Sequence, residues 1–128
     1  MSEVLIDTHT LIWWFEGRDK LSGKARKIIE DREIVVLVSA ASAWELAIKC
    51  QIGKFRSREL VDSLDREIEE EGFVELPVTI EHAVRAGSLR GPHKDPFDRM
   101  LIAQALARIV PVVSADKCFD TYGVRRLW

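Results

Sequence analysis

Four carboxylates in this sequence stand where chemistry could use them. Asp7 closes the apolar run of "LIDTHT", and Asp116 follows the β-branched stretch of "VVSAD". Glu45 lies in the middle of the mostly apolar "SAASAWELAIKCQIGK". Asp98 lies just inside the start of "HKDPFDRMLIAQALARI", with Leu101, Ile102 and Ala105 at i+3, i+4 and i+7, so it belongs to the stripe that should face the interior. Glu45 has Ala41, Ser42 and Ile48 around it, and only Lys49 at i+4 carries charge. Gathered without a counter-charge, such acids repel, and desolvating even one unpaired carboxylate costs several kcal/mol. A bound cation removes both penalties. Oxygen-only donors select Mg²⁺ or Mn²⁺ over Zn²⁺, and Mg²⁺ suits one or two carboxylates plus a substrate phosphate. The chemistry implied is metal-assisted attack of water on a phosphorus centre.

Each acid alone has a plainer use. Asp7 can cap a helix that begins at Thr8. Asp98, three residues past the N-cap candidate Asp95, can close a capping box or sit on the helix dipole. Glu45 with Lys49 is an ordinary i, i+4 surface pair, and Asp116 in "SADK" is an ordinary turn residue. The combination, not any member, points to a site.

The elements that must position these groups alternate along the chain. Strands are expected at Val4–Asp7, Ile34–Val38, Phe73–Leu76, Val110–Ser114 and Val124–Leu127. Helices are expected at Thr8–Phe15, Gly23–Arg32, Ser39–Ile52, Ser57–Glu71, Ile80–Leu89 and from Pro96 to about Arg108, with Asp95 as the N-cap of the last. Such alternation predicts an α/β fold with a mostly parallel sheet. Ligands of such sheets bind beyond the carboxyl edge at the switch in strand order, which is where Asp7 and Asp116 would be delivered.

The 128 residues suit a single domain over 1–128, and 47% hydrophobic with 31% charged residues is an ordinary globular balance. A net charge of −2 argues against a generally basic nucleic-acid binder and leaves room for a local basic patch. Cys50 and Cys118 lack metal-ligand spacing to another Cys or His and read as free thiols of a cytosolic protein. The first residues show acids where a signal peptide would be basic, and no stretch approaches a membrane span, so no membrane partner is expected.

The motifs "LIDTHTLIWW", "VSAASAWELAIKCQIGK", "HKDPFDRMLIAQA" and "VVSADKCFDTYGV", in this order and at this chain length, resemble those of the PIN domain. Within that family they resemble the VapC-type toxins of bacterial and archaeal toxin–antitoxin pairs. The resemblance covers nearly the whole chain. It implies a three-layer α/β/α sandwich with a central mostly parallel sheet, and an endoribonuclease dependent on Mg²⁺ or Mn²⁺. The family's acids carry over onto Asp7, Glu45, Asp98 and Asp116, and its small hydroxyl before the last acid onto Ser114. Asp95 could share the role of Asp98. Because Asp95 suits the N-cap and Asp98 the apolar stripe, the site is assigned to Asp98.

A single-stranded or loop RNA would be steered by Lys49, Lys54, Arg90, His93, Lys94 and Arg99, with Arg125 and Arg126 as further candidates, although each is individually an ordinary surface group. Trp13, Trp14 and Phe15 are consecutive, and a helix cannot turn three bulky neighbours to one core. At least one is expected to reach a partner, for which the resemblance offers a second copy of the chain or a cognate antitoxin segment. Rival readings fit less well. A haloacid-dehalogenase-type phosphatase wants an acid where His9 stands, and a receiver domain wants an acidic pair near the N-terminus. A non-catalytic RNA- or protein-binding module on the same scaffold would leave the acids without a task.

Overall fold

Two β-branched runs set the middle of the sheet. "EVLI" forms β1 (Glu3–Ile6) and "VVLVS" forms β2 (Val35–Ser39), paired in parallel with Val4 opposite Val36 and Ile6 opposite Val38. In the computed structural model, which describes residues 1–128, β3 (Val74–Leu76) lies beyond β2, β4 (Val112–Val113) lies on the other side of β1, and β5 (Arg126–Leu127) lies beyond β4. The order is β3-β2-β1-β4-β5 and every pairing is parallel. The helices are α1 (Thr8–Glu16), α2 (Gly23–Glu30), α3 (Ala40–Gln51), α4 (Arg58–Asp62), α5 (Leu64–Glu70), α6 (Ile80–Ser88), α7 (Pro96–Arg108) and the one-turn α8 (Cys118–Thr121).

Successive strand residues point to opposite faces, and this period of two makes the three layers. Val4, Ile6, Val36, Val38 and Val113 pack with Leu11 and Trp14 of α1, Ile28 and Ile29 of α2 and Leu46 of α3. Leu5, Leu37, Leu76 and Val112 pack on the other face with Leu101, Ile102 and Ala105 of α7 and Phe119 of α8. Each fully buried side chain of this kind contributes roughly 1.5–3 kcal/mol. The expected α/β/α sandwich is what the chain forms, with a sheet that is parallel throughout.

The chain departs from expectation locally. The helix expected over Ser57–Glu71 divides at Ser63, whose hydroxyl, at 2.9 Å, joins its own N–H, at 3.2 Å, on the Glu59 carbonyl. A one-turn helix with no counterpart among the expected elements, α8, opens at Cys118. The strand expected over Val110–Ser114 keeps only Val112 and Val113, although Pro111 still accepts a bond from Leu5 N–H at 2.9 Å.

The strand order fixes where a site can lie. The chain builds outward from β1 through β2 to β3, then returns to the other flank of β1 for β4 and β5. The crossover directions diverge between β1 and β4, which opens a crevice beyond their carboxyl ends.

Candidate active site

Asp7 follows β1 directly and caps α1. Its Oδ1 accepts from the Thr10 N–H at 3.0 Å and the Thr10 hydroxyl at 2.6 Å, and its Oδ2 accepts from the Ser114 hydroxyl at 2.5 Å. It is only 4% exposed. Burial pushes its carboxyl above the ordinary range, while the Ser114 and Thr10 bonds pull the other way. Asp7 is thus both helix cap and buried acid, so the plain reading and the functional one hold together. Ser114 also accepts from the Asp116 N–H at 2.9 Å, which folds the turn after β4 back towards Asp7.

Asp98 occupies the first turn of α7, half-buried, with Oδ2 2.8 Å from His93 Nε2. Burial raises its carboxyl, the His93 bond opposes that, and the charges of Asp95 and Asp116 raise it again. Asp95 itself is exposed and caps α7, its Oδ1 accepting from Phe97 N–H at 2.9 Å and Asp98 N–H at 3.0 Å. Asp116 is exposed, and its Oδ1 accepts from the Cys118 N–H at 2.9 Å. Cys118 reports the convergence. Its thiol is pushed up to about 12, first by burial and then by the charges of Asp98, Asp116 and Asp7.

Glu45 points inward from α3 and is 5% exposed. The helix is tied to the β1 end by the Thr8 hydroxyl, which donates to Ser42 at 2.9 Å, one turn before Glu45. Glu45 Oε2 meets Lys49 Nζ at 2.7 Å, so the surface-pair motif is present on a buried acid. Its Oε1 is buried with no donor at all. A bare carboxylate oxygen in a protein interior is costly, and proteins rarely leave one without a partner. Hard oxygen donors with one bare buried oxygen among them fit a divalent ion such as Mg²⁺ or Mn²⁺, which Asp7, Glu45, Asp98 and Asp116 could hold.

The basic groups divide. Lys54, Arg90, Lys94 and Arg125 are exposed. Lys49 is paired with Glu45 and Arg126 with Asp120, the latter at 3.0 Å. Arg99, expected to meet RNA, is instead a clamp: its guanidinium donates to the carbonyls of Ala86 at 3.2 Å and His93 at 2.9 Å, and to that of Leu89. Those bonds use three of its five N–H donors and tie the end of α6 and the turn after it to α7.

The N-terminal aromatics settle against one another. Trp14 is a core residue, with Phe73 beside it and the Arg18 guanidinium 3.7 Å over its ring, so it is unavailable to a partner here. Trp13 and Phe15 are half-buried, against Trp128 and Phe73 respectively. The consecutive rings fit because aromatic neighbours cover both flanks of α1. The large exposed aromatic is Trp44, at 65%, edge-on to Phe97 beside an apolar groove of about 440 Å³ lined also by Val78, Pro96 and Met100. Its position next to inward-facing Glu45 was the signal available in the sequence. Cys118 had none, since only the topology brings it to Asp98, and His93, five residues before Asp98, was expected to meet RNA rather than this carboxylate.

Sequence comparison with curated proteins gives no match. Structural comparison gives several whole-chain similarities at low identity, which speak to the fold. DNA-bound VapBC from Salmonella typhimurium is 18% identical over 98% of this chain and 97% of that one, with a TM-score of 0.73. VapC20 from Mycobacterium tuberculosis, a sarcin-ricin loop cleaving toxin, is 14% identical over 94% and 95%, with a TM-score of 0.70. FitAcB from Neisseria gonorrhoeae is 19% identical over 96% and 95%, with a TM-score of 0.61. The profile of the PIN domain matches residues 4–124, nearly the span from β1 to β5 and all of the acids described above. With its parallel sheet, its crevice between β1 and β4 and that match, the chain belongs to the PIN domain family.

Proposed function

We propose that the protein is an endoribonuclease dependent on Mg²⁺ or Mn²⁺, the toxin of a toxin–antitoxin pair acting in the cytoplasm. One observation carries the reading: the Ser114 hydroxyl bonds both Asp7 Oδ2 and the Asp116 N–H beyond the ends of β1 and β4, while Glu45 offers a buried oxygen without a donor. Asp7 and Asp116 would hold the ion, and Glu45 and Asp98 would complete its surroundings, one of them orienting the attacking water. Ser114 and Thr10 keep Asp7 aimed and favour its ionised form. His93 fixes Asp98 Oδ2. The ion, when bound, lowers the pKa of water and offsets charge on the scissile phosphate. Phosphoryl chemistry asks the chain mainly for this positioning.

A single-stranded or loop RNA suits a recessed acidic crevice, and the exposed Lys54, Arg90 and Lys94 supply charge for its backbone. The solved structures of similar fold include VapBC and a toxin–antitoxin complex, which supports a cognate antitoxin as protein partner; a second copy of the chain is part of the proposal alone. No helix is long and apolar enough to cross a membrane. The phosphatase rival loses ground at His9, an exposed imidazole tilted against Trp13 where that chemistry wants an acid.

The test is RNA cleavage by the purified chain with Mn²⁺, abolished by chelation and by Asp98→Asn with an unchanged circular-dichroism spectrum. Full activity in that variant removes Asp98 from the mechanism. Hydrolysis of a small phosphate monoester with RNA left intact favours the phosphatase.

A further inference from the structure

Cys118 stands among the acids, yet the proposed chemistry gives it no task. The fold brings one ligand atom each from Cys118, His93 and Asp98 within 4.8 Å of the other two. Independent devices hold them there. Asp98 is set by the first turn of α7, capped by Asp95. Cys118 is anchored through its N–H to Asp116. His93 is held at both ends of its backbone, its N–H donating to the Tyr122 hydroxyl at 3.2 Å and its carbonyl accepting from Arg99 at 2.9 Å. Gly91, at φ 125°, permits that closeness: a Cβ there would stand 2.7 Å from the Tyr122 oxygen. The imidazole is therefore placed by a built turn. Solvent reaches it through a cavity of about 170 Å³ lined by Pro92, His93, Cys118, Thr121 and Tyr122.

We propose that Cys118, His93 and Asp98 form a binding site for a thiophilic divalent ion, Zn²⁺ foremost, whose occupation withdraws Asp98 from the acid cluster. A donor set of sulfur, nitrogen and oxygen suits Zn²⁺ and disfavours Mg²⁺. In a filled tetrahedral shell the ligand atoms stand roughly 3.3–3.8 Å apart, given bond lengths of about 2.0–2.3 Å, so closure asks for about 1 Å of side-chain movement. On binding, the thiol releases its proton to solvent, the proton shared by His93 Nε2 and Asp98 Oδ2 moves to His93 Nδ1 or to solvent, the thiolate, the imidazole nitrogen and the carboxylate each donate a lone pair, and the dication offsets their mutual repulsion. A water would fill the fourth position. The regulatory half, in which Zn²⁺ closes the site, rests on the nuclease reading; the binding half does not.

Co²⁺ is the probe, because thiolate ligation gives an intense near-ultraviolet charge-transfer band that oxygen ligation lacks. Titration of the metal-free full chain should produce that band, and Zn²⁺ should bleach it. Cys118→Ser should lose the band, Cys50→Ser, whose thiol lies outside the cluster, should keep it, and His93→Gln should weaken Co²⁺ binding by about tenfold or more. Wild type without the band, or Cys118→Ser with it, overturns the site. In the Mn²⁺-dependent RNA assay, Cys118→Ser should require about tenfold more Zn²⁺ for equal inhibition. Equal sensitivity of the two proteins overturns the regulatory half. Absence of RNA cleavage under every condition overturns the nuclease reading and the regulation with it, while the cobalt spectrum still decides the site.

Discussion

The Ser114 hydroxyl donates to Asp7 Oδ2 across 2.5 Å and so joins the carboxyl ends of β4 and β1, 107 residues apart in sequence. This bond favours the charged form of a carboxylate that burial disfavours. Ser114→Ala is expected to lower Mn²⁺-dependent cleavage about 10–100-fold, the range seen when a partner of a metal-ligating group is removed. The acid limb of the pH–rate profile should move to higher pH, and Ser114→Thr should restore most of the activity. An acid limb that stays in place would show that Ser114 only fills space.

Asp7 also makes stability depend on pH. Burial holds its carboxyl above the ordinary 3.8, so the native state binds this proton more tightly than the unfolded chain does. Its contribution to stability is fully present below pH 3.8 and is lost as pH rises from there through the raised native value. At neutral pH the metal-free protein therefore carries a destabilising buried charge. Asp7→Asn should raise the Tm of metal-free protein by about 3–5 °C, on the order of 1 kcal/mol, while abolishing activity. A lower Tm for the variant would mean that the bonds from Thr10 and Ser114 outweigh the desolvation.

Lys49 Nζ, 2.7 Å from Glu45 Oε2, is an internal counter-ion for a buried acid. A divalent ion must compete with it for the same carboxylate. With a partly exposed pair contributing about 0.5–1 kcal/mol, Lys49→Gln should tighten Mn²⁺ binding roughly two- to fivefold by calorimetry. Weaker binding would make Lys49 a support for Glu45 rather than its competitor.

Arg99 offers a contrast between charge that steers and charge that holds. Arg99→Ala removes the donors to the carbonyls of Ala86, Leu89 and His93 and should cost about 2–3 kcal/mol in urea denaturation. Unchanged stability with a raised KM for RNA would return Arg99 to the substrate-steering group.

Much of this was legible in the sequence because burial leaves a periodic trace. The stripe of Leu101, Ile102 and Ala105 carried Asp98 inward, and the small neighbours of Glu45 did the same for that acid. β1 and β2 announced themselves as apolar runs because helices cover both faces of the sheet. The rest depended on distant partners. The helix divides at Ser63, a break that amphipathic patterning does not register. Arg99 looked like any surface cation until the α6–α7 turn supplied carbonyls to it. Trp14 disappeared into the core because Phe73 and Arg18 arrive from elsewhere in the chain, and Trp44 stayed outside because Glu45 turned in. Spacing rules for metal-binding cysteines assume neighbours in sequence, so Cys118 and His93 escaped them.

The placement of β4 beside β1 has a consequence for the moment of synthesis. A chain still emerging from the ribosome already presents Asp7, but the strand that delivers Ser114 and Asp116 is the fourth of five and is made only after β1, β2 and β3. Contacts between such remote segments close late, after the local ones. A polypeptide that ends before β4 therefore lacks the Ser114–Asp7 bond altogether, and the acids on either side of it are brought together only once nearly the whole chain has been made.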